Sequence, residues 1–344
     1  MKVFDLHSDL FTDIAWRKNL GENNVFDRIH YPKLKEGGIE SIICVFWVEP
    51  IFRSQPYNRF LTLFKHVMND LLDSQYASVY GSCLHQSSDS EKIQIYLGLE
   101  GLSFMEGWEG ETNASKIENA FKSLHQCNFI HSIFAWNEHN FLATGTGASI
   151  PRKDEGLTND GRIAVQKANE HGWIIDVSHI DETSFWDIYH TSNRPIMASH
   201  SNAKTICQHE RNLTDEQIKA IAENGGIIGL NSYGAFVDHE APTVDRFIDH
   251  AIYISYLVGP EHVAFGFDFV DYLTPYRLGT GFPTYTKDLE DTSKIPHLLD
   301  QMSKRGFTTK ELEMISFQNA NQYIKKFSDK RGVNKIESNT YSSR

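Results

Sequence analysis

The sequence predicts an α/β protein, a (β/α)8 TIM barrel in a single domain with extra C-terminal helices. Three observations carry that expectation. Eight short apolar, β-branched or aromatic runs recur along 344 residues. Segments with a helical period of polar and apolar residues separate them, the pattern of a parallel sheet wrapped by helices. Polar residues then stop several of the apolar runs, where a barrel of this kind collects its chemistry.

The runs, in order, are KVFDLH (2–7), IESIICVFW (39–47), IQIYLGLE (93–100), NFIHSIFA (128–135), WIIDVSH (173–179), PIMASH (195–200), GIIGLN (226–231) and HVAFGFD (262–268). Between them, residues 58–73 place Phe60, Leu63, Phe64, Val67, Met68, Leu71 and Leu72 on one wide apolar face, which predicts a helix. NDGRIAVQKANEHGW predicts another, stopping at Gly172. TDEQIKAIAENGG has Thr214 as N-cap, Gln217 three residues on as its capping-box partner, and Gly225 as the stop. Residues 292–304 and 310–326 read as closing helices. The Gly-rich link over 136–160 and the Tyr-, Thr-, Pro- and Gly-rich stretch 269–292 fit loops over a barrel mouth. The barrel is expected to fill residues 1–326. Residues 327–344, ending in DKRGVNKIESNTYSSR, are expected to be a polar, mobile tail.

Composition narrows the partners. Hydrophobic residues make up 40% of the chain, enough to bury a large core. The formal net charge of −12 argues against nucleic acid and against an anionic membrane, both of which call for clustered Lys and Arg. No apolar run approaches the length of a membrane span. Cys44, Cys83, Cys127 and Cys207 are scattered without a Cys-x-x-Cys, which predicts no disulfide framework and a reducing compartment. The chain opens directly on a strand, without a secretory signal pattern, so a cytoplasmic location is expected.

Reading the strand ends yields the candidate site. Asp5, His7 and Asp9 alternate onto one face of the first run, and an imidazole beside a carboxylate is a pair of metal ligands. Glu100 closes the third run between two glycines, His179 the fifth, His200 the sixth and Asp268 the eighth. Each has an ordinary alternative. Glu100 could be a loop carboxylate, His200 a turn residue and His179 a core histidine bonded to a carbonyl. Together they match the inventory of a two-metal hydrolytic site.

The set DLHSD, GLEG, IIDVSH, SHSN followed by Arg211 in ERNLTD, and GFDF resembles the membrane (renal) dipeptidase family of zinc-dependent hydrolases, from residue 5 to about residue 324. The resemblance implies two Zn2+ ions per chain, with other divalent metals acceptable to the same donors. It assigns His7 and Asp9 to one ion, His179 and His200 to the other, and Glu100 as a bridge. Arg211 would bind the free carboxylate of a dipeptide, and Asp268 would receive and return a proton near its amino end. A bridging hydroxide would attack the peptide carbonyl, with Glu100 and Asp268 as the catalytic carboxylates. A small-molecule dipeptide, with a C-terminal D-residue tolerated, and a homodimer are further implications.

This chain departs from the family pattern in three places. Trp136, followed by Asn137, stands where members often have a histidine, so both are candidate substrate contacts. The aspartate motif reads DFVD rather than Asp-Phe-Asp-Gly, and the glutamate motif continues GLEGLS without a second glycine. Two other functions fit the same residues: an amidohydrolase acting on an N-acyl amino acid or other non-peptide amide, and a barrel that binds dipeptides without turnover. Read without the family, Arg211 is a charge flanking a helix start, and Asp5 either steadies the ligands or pairs with backbone.

Overall fold

A computed structural model describes residues 1–81, 91–149, 152, 155–281 and 283–328. Its strands are β1 (Val3–Ser8), β2 (Ile39–Trp47), β3 (Ala77–Val79), β4 (Ile93–Glu100), β5 (Phe129–Ile133), β6 (Ile174–Asp176), β7 (Ile228–Leu230) and β8 (Val263–Phe265). They form one curled parallel sheet in the order β6-β5-β4-β2-β1-β8-β7, with β3 added to β4. The β2–β4 pairing is the most regular, running from Ser41–Gln94 to Trp47–Glu100.

Both faces of the sheet are buried, which is why its strands read as near-continuous apolar runs. One face and the surrounding helices share the large core that includes Phe46, Phe60, Phe129 and Trp173. The other face turns Phe4, Leu6, Ile43, Val45, Ile130, Ile174 and Ala264 inward, where Tyr323, Ile324 and Phe327 of the helix Asn319–Ser328 pack against them. Full burial of each of the larger aliphatic and phenylalanine side chains stabilises the fold by about 1.5–3 kcal/mol. That helix carries the ordered chain past the boundary expected at 326, since Phe327 is only 2% exposed. The rest of the expected tail lies outside the described residues.

Two features differ from the sequence expectation. The run 195–200 does not form a regular strand. Met197 makes one parallel bridge to Asp176 and Ala198 one to Ile228, so this segment spans the gap between β6 and β7 by single contacts. The physical reason is one local residue and two distant partners. Pro195 has no N–H to donate, while the N–H groups of Ser199 and His200 turn to the Asp176 carboxylate and the Ser178 hydroxyl instead of a strand. The second difference is β3, three residues long and too short to show a period. It pairs with the beginning of β4 on the edge whose later part pairs with β5.

The helices follow their end signals. Thr214 and Gln217 form the reciprocal capping box of the helix Asp215–Glu223. The apolar face read over 58–73 belongs to the helix Pro56–Leu72, and NDGRIAVQKANE to Asn159–Glu170. The closing segment divides into Ile295–Lys304, Thr309–Glu313 and Asn319–Ser328. Cys44, Cys127 and Cys207 are free thiols; Cys83 lies outside the described residues. Among the described residues, no helix is long and apolar enough to cross a membrane.

Candidate metal centre and substrate cavity

The C-terminal ends of the strands converge on one cavity of about 930 Å3. Asp9, Glu100, Trp136, Asn137, His179, Arg211 and Asp268 line it, and His7 and His200 lie buried at its floor.

Backbone geometry places each group. His7 is in β1, but the chain leaves the strand at Asp9 (φ −89°, ψ 14°) to start the helix Leu10–Asn19, so strand alternation does not aim the Asp9 carboxylate. It nonetheless returns to within 3.7 Å of His7 Nε2. Glu100 is the last residue of β4. His179 and Asp268 follow β6 and β8 by three residues, and both hold a left-handed φ, 67° and 56°. Such values are uncommon for non-glycine residues and persist only where the surroundings impose them.

Two buried aspartates supply much of that constraint. Asp176 Oδ1 accepts from the N–H of Ser178 (2.9 Å) and of Ser199 (3.0 Å), each one residue before a site histidine. Its other oxygen meets His131 Nε2 at 2.7 Å. Asp5 Oδ1 accepts from the N–H of His7 (3.3 Å) and of Phe267 (2.9 Å), the neighbour of Asp268. Sequence reasoning passed over Asp176 and His131. The available signal was a carboxylate at the end of an apolar run, three residues before His179.

At the centre, the two oxygens of Glu100 face different partners. Oε2 is 3.7 Å from His7 Nε2, while Oε1 is 2.8 Å from His179 Nε2 and 3.8 Å from His200 Nε2. His7, Glu100 and His200 each bring a donor atom within 4.8 Å of the others, and so do His7, Asp9 and Asp268. The second trio groups Asp268 with His7 and Asp9. His179 donates through Nδ1 to Asn137 Oδ1 at 2.7 Å, and His200 Nδ1 contacts the Ser199 hydroxyl at 2.7 Å. Both rings therefore turn Nε2 inward. Asn137, expected as a substrate contact, is engaged with a site histidine.

The electrostatics follow from crowding and burial. Burial works against charge on His7, but Glu100, Asp9 and Asp268 outweigh it and raise its pKa to about 10. Glu100 is pushed well up by burial and by the Asp9 charge. Asp268 rises to about 6 through burial, against the stabilising charges of His7 and Arg211 and the amide of Asn231, which donates to Oδ2 at 3.1 Å. His179 and His200 are held neutral by burial and by nearby positive charge. Three carboxylates around one imidazole make a pocket that favours positive charge.

Arg211 enters the cavity from the turn after the 196–203 segment, held by the Ala203–Leu213 bridge. It is 5% exposed and lies 5.2 Å over the Phe236 ring. Its Nε and Nη2 have no hydrogen-bond partner. Burial lowers its pKa to about 10, which still leaves it charged at neutral pH.

A family model described as membrane dipeptidase (peptidase family M19) matches residues 1–336. The chain belongs to the membrane dipeptidase family. Among its relatives is an uncharacterized protein in the pqqA 5′ region of Klebsiella pneumoniae, 34% identical over 195 residues, 54% of this chain and 67% of that one. Another is the dipeptidase tcpJ of Claviceps purpurea, 28% identical over 242 residues, 70% of this chain and 52% of that one. This chain thus spans about half the length of the fungal dipeptidases it matches. The fold is that of a metallo peptidase from Rhodobacter sphaeroides liganded with a phosphinate mimic of L-Ala-D-Ala. The TM-score is 0.79 at 21% identity, covering 95% of this chain and 99% of that one.

Membrane dipeptidases of peptidase family M19 are metallopeptidases, and the residues present here suit a metal. His7 Nε2, His200 Nε2 and Asp9 Oδ1 are buried atoms without a hydrogen-bond partner. A buried polar atom left unpaired is costly. Imidazole nitrogens and carboxylate oxygens converging around a negative pocket are donors that a divalent cation satisfies.

Proposed function

We propose that the protein is a zinc-dependent dipeptidase. His7 and Asp9 would hold one ion, His179 and His200 the other, with Glu100 between them. The observation that carries the reading is Glu100 itself, whose two oxygens face His7 on one side and His179 and His200 on the other. The donors accept several divalent ions, and zinc is the choice for mixed imidazole and carboxylate ligands. Bound there, two divalent ions would polarise a carbonyl and acidify a shared water.

The chain's own groups supply the rest. Arg211, which lines the same cavity and has Nε and Nη2 without hydrogen-bond partners, takes the substrate's free carboxylate through its planar fork. That contact restricts the substrate to one residue beyond the scissile bond. Asp268, grouped with His7 and Asp9 at the same centre, accepts a proton and delivers it to the leaving amine. Asn231 holds one of its oxygens and leaves the other to move the proton. Asn137 keeps His179 in the tautomer that presents Nε2.

Three finer points belong to the same reading. The bridges at Met197 and Ala198 support closure of the sheet into a full (β/α)8 ring. The ligand of the Rhodobacter sphaeroides neighbour supports including C-terminal D-residues among the substrates. Four scattered cysteines support a reducing, cytoplasmic setting.

The test is metal content by mass spectrometry, paired with hydrolysis of Gly-D-Ala and Gly-L-Ala before and after chelation. Two metals per chain with chelator-sensitive cleavage are expected. Two metals without cleavage of either dipeptide would overturn the dipeptidase reading and direct attention to N-acyl amino acids.

A further inference from the structure

The cavity has two distinguishable ends. Around Arg211, His209, Glu210 and Tyr233 stand beside the Phe236 ring that lies against the guanidinium. Its other end carries an apolar wall. Trp47, Leu273 and Leu278 form a small cluster separate from both core layers, packed with Trp136 and Val270. All five line the cavity.

The position of this wall follows from the sheet. β2, which ends in Trp47, is the middle strand of the seven-strand path, and residues 197 and 198 bridge the two ends of that path. Arg211 is tied to the 196–203 segment, so it and Trp47 face each other across the mouth. Glu100 stands beside the wall, paired in register with Trp47, and the Trp136 ring is 5.7 Å from His179. A ligand with its carboxylate on Arg211 and its carbonyl at Glu100 therefore directs its remaining end toward the wall.

The wall is built in advance. The Trp47 and Trp136 rings lie 5.2 Å apart at 51°. Tyr276, on the loop that carries Leu273 and Leu278, stacks on Trp16 at 5.1 Å and donates its hydroxyl to buried Asp13. The Leu278 carbonyl accepts from Ile51 N–H at 3.4 Å. An apolar surface held in place beside a reacting centre favours a ligand that covers it.

We infer that the preferred substrates are dipeptides whose amino-terminal residue carries a large apolar or aromatic side chain, seated against Trp47, Trp136, Leu273 and Leu278. The inference rests on the dipeptidase reading and adds a side-chain class to it. Covering the wall is worth roughly fourfold in specificity per methylene.

The experiment compares kcat/KM for Phe-Gly, Leu-Gly, Gly-Gly and Gly-Phe on the metal-loaded enzyme. Phe-Gly and Leu-Gly should exceed Gly-Gly at least tenfold, and Gly-Phe should gain much less. Leu278→Ala and Leu273→Ala, checked for an unchanged melting temperature, should each lower the Phe-Gly to Gly-Gly ratio severalfold. Equal rates for Phe-Gly, Gly-Gly and Gly-Phe would overturn the inference and leave the dipeptidase reading standing. An unchanged ratio in both leucine variants would also overturn it. Cleavage of none of the four would remove the dipeptidase reading, and this inference with it.

Discussion

Asn137 Oδ1 and His179 Nδ1 are 2.7 Å apart, and this one hydrogen bond decides which nitrogen of His179 faces Glu100. An amide oxygen can only accept, so Nδ1 carries the proton and Nε2 keeps its lone pair. Asn137→Ala should weaken binding of one metal by about 10–100-fold. Competition with a chromophoric chelator measures this directly. Wild-type affinity for both metals in the variant would reject the orienting role.

Asp176 offers a sharper comparison. A single oxygen accepts both Ser178 and Ser199 N–H groups, and an asparagine oxygen can do the same. Burial favours the neutral acid, but the hydrogen bond and charge of His131, with the bonds from Ser199 and Ser178, hold the pKa below the usual range. Asp176→Ala strands a buried histidine and two N–H groups, and should cost about 3–5 kcal/mol in a urea titration. Asp176→Asn should keep more of the metal affinity than Asp176→Ala. Equal affinity in the two variants would separate Asp176 from the site.

For Arg211 the informative quantity is a split between kinetic constants. Arg211→Ala should raise KM for a dipeptide by about 10–100-fold, the worth of one charge-assisted pair, with a smaller effect on kcat. A carboxyl-amidated analogue has no anion to lose and should respond little. Equal losses on both substrates would reject carboxylate binding.

A pH prediction comes from His250, which is not among the proposed metal ligands. Its Nδ1 accepts from Ala203 N–H at 3.2 Å, and its Nε2 donates to the Val237 carbonyl at 2.9 Å. Both nitrogens are committed in the neutral ring. Burial lowers the pKa from 6.5 to about 4, partly opposed by the Val237 bond. A depressed folded-state pKa means the unfolded chain binds the proton first as pH falls. This contribution is therefore complete above pH 6.5 and is lost between 6.5 and about 4, amounting to about 3 kcal/mol. Melting temperatures across that window should fall, and His250→Gln should flatten the decline. A wild-type slope in the variant would assign the acid sensitivity elsewhere.

The strand ends were legible because burial on both faces leaves strongly apolar runs, against which His7, Glu100, His179, His200 and Asp268 stand out. Helix ends were legible where the chemistry is local, as at Thr214 and Gln217. What escaped was set by distant partners. The run 195–200 has strand-like composition, yet Asp176 and Ser178 take its N–H groups. Asp9 alternates with His7 in sequence, yet a helix starts behind it. The bond from His179 to Asn137 spans 42 residues, with no pattern to announce it.

By itself, the sequence determined seven of the strands and the main helices, the apolar faces that join them and the inventory of imidazoles and carboxylates at the strand ends. These are consequences of periodicity and of what can be buried at short range. Only the tertiary structure decided which oxygen of Glu100 faces which histidine, and which aspartates hold the left-handed turns at His179 and Asp268. It also set Trp47 and Arg211 on opposite sides of one cavity. Those relationships depend on the curl of the sheet and on loops pinned from outside themselves, so no local window of residues contains them.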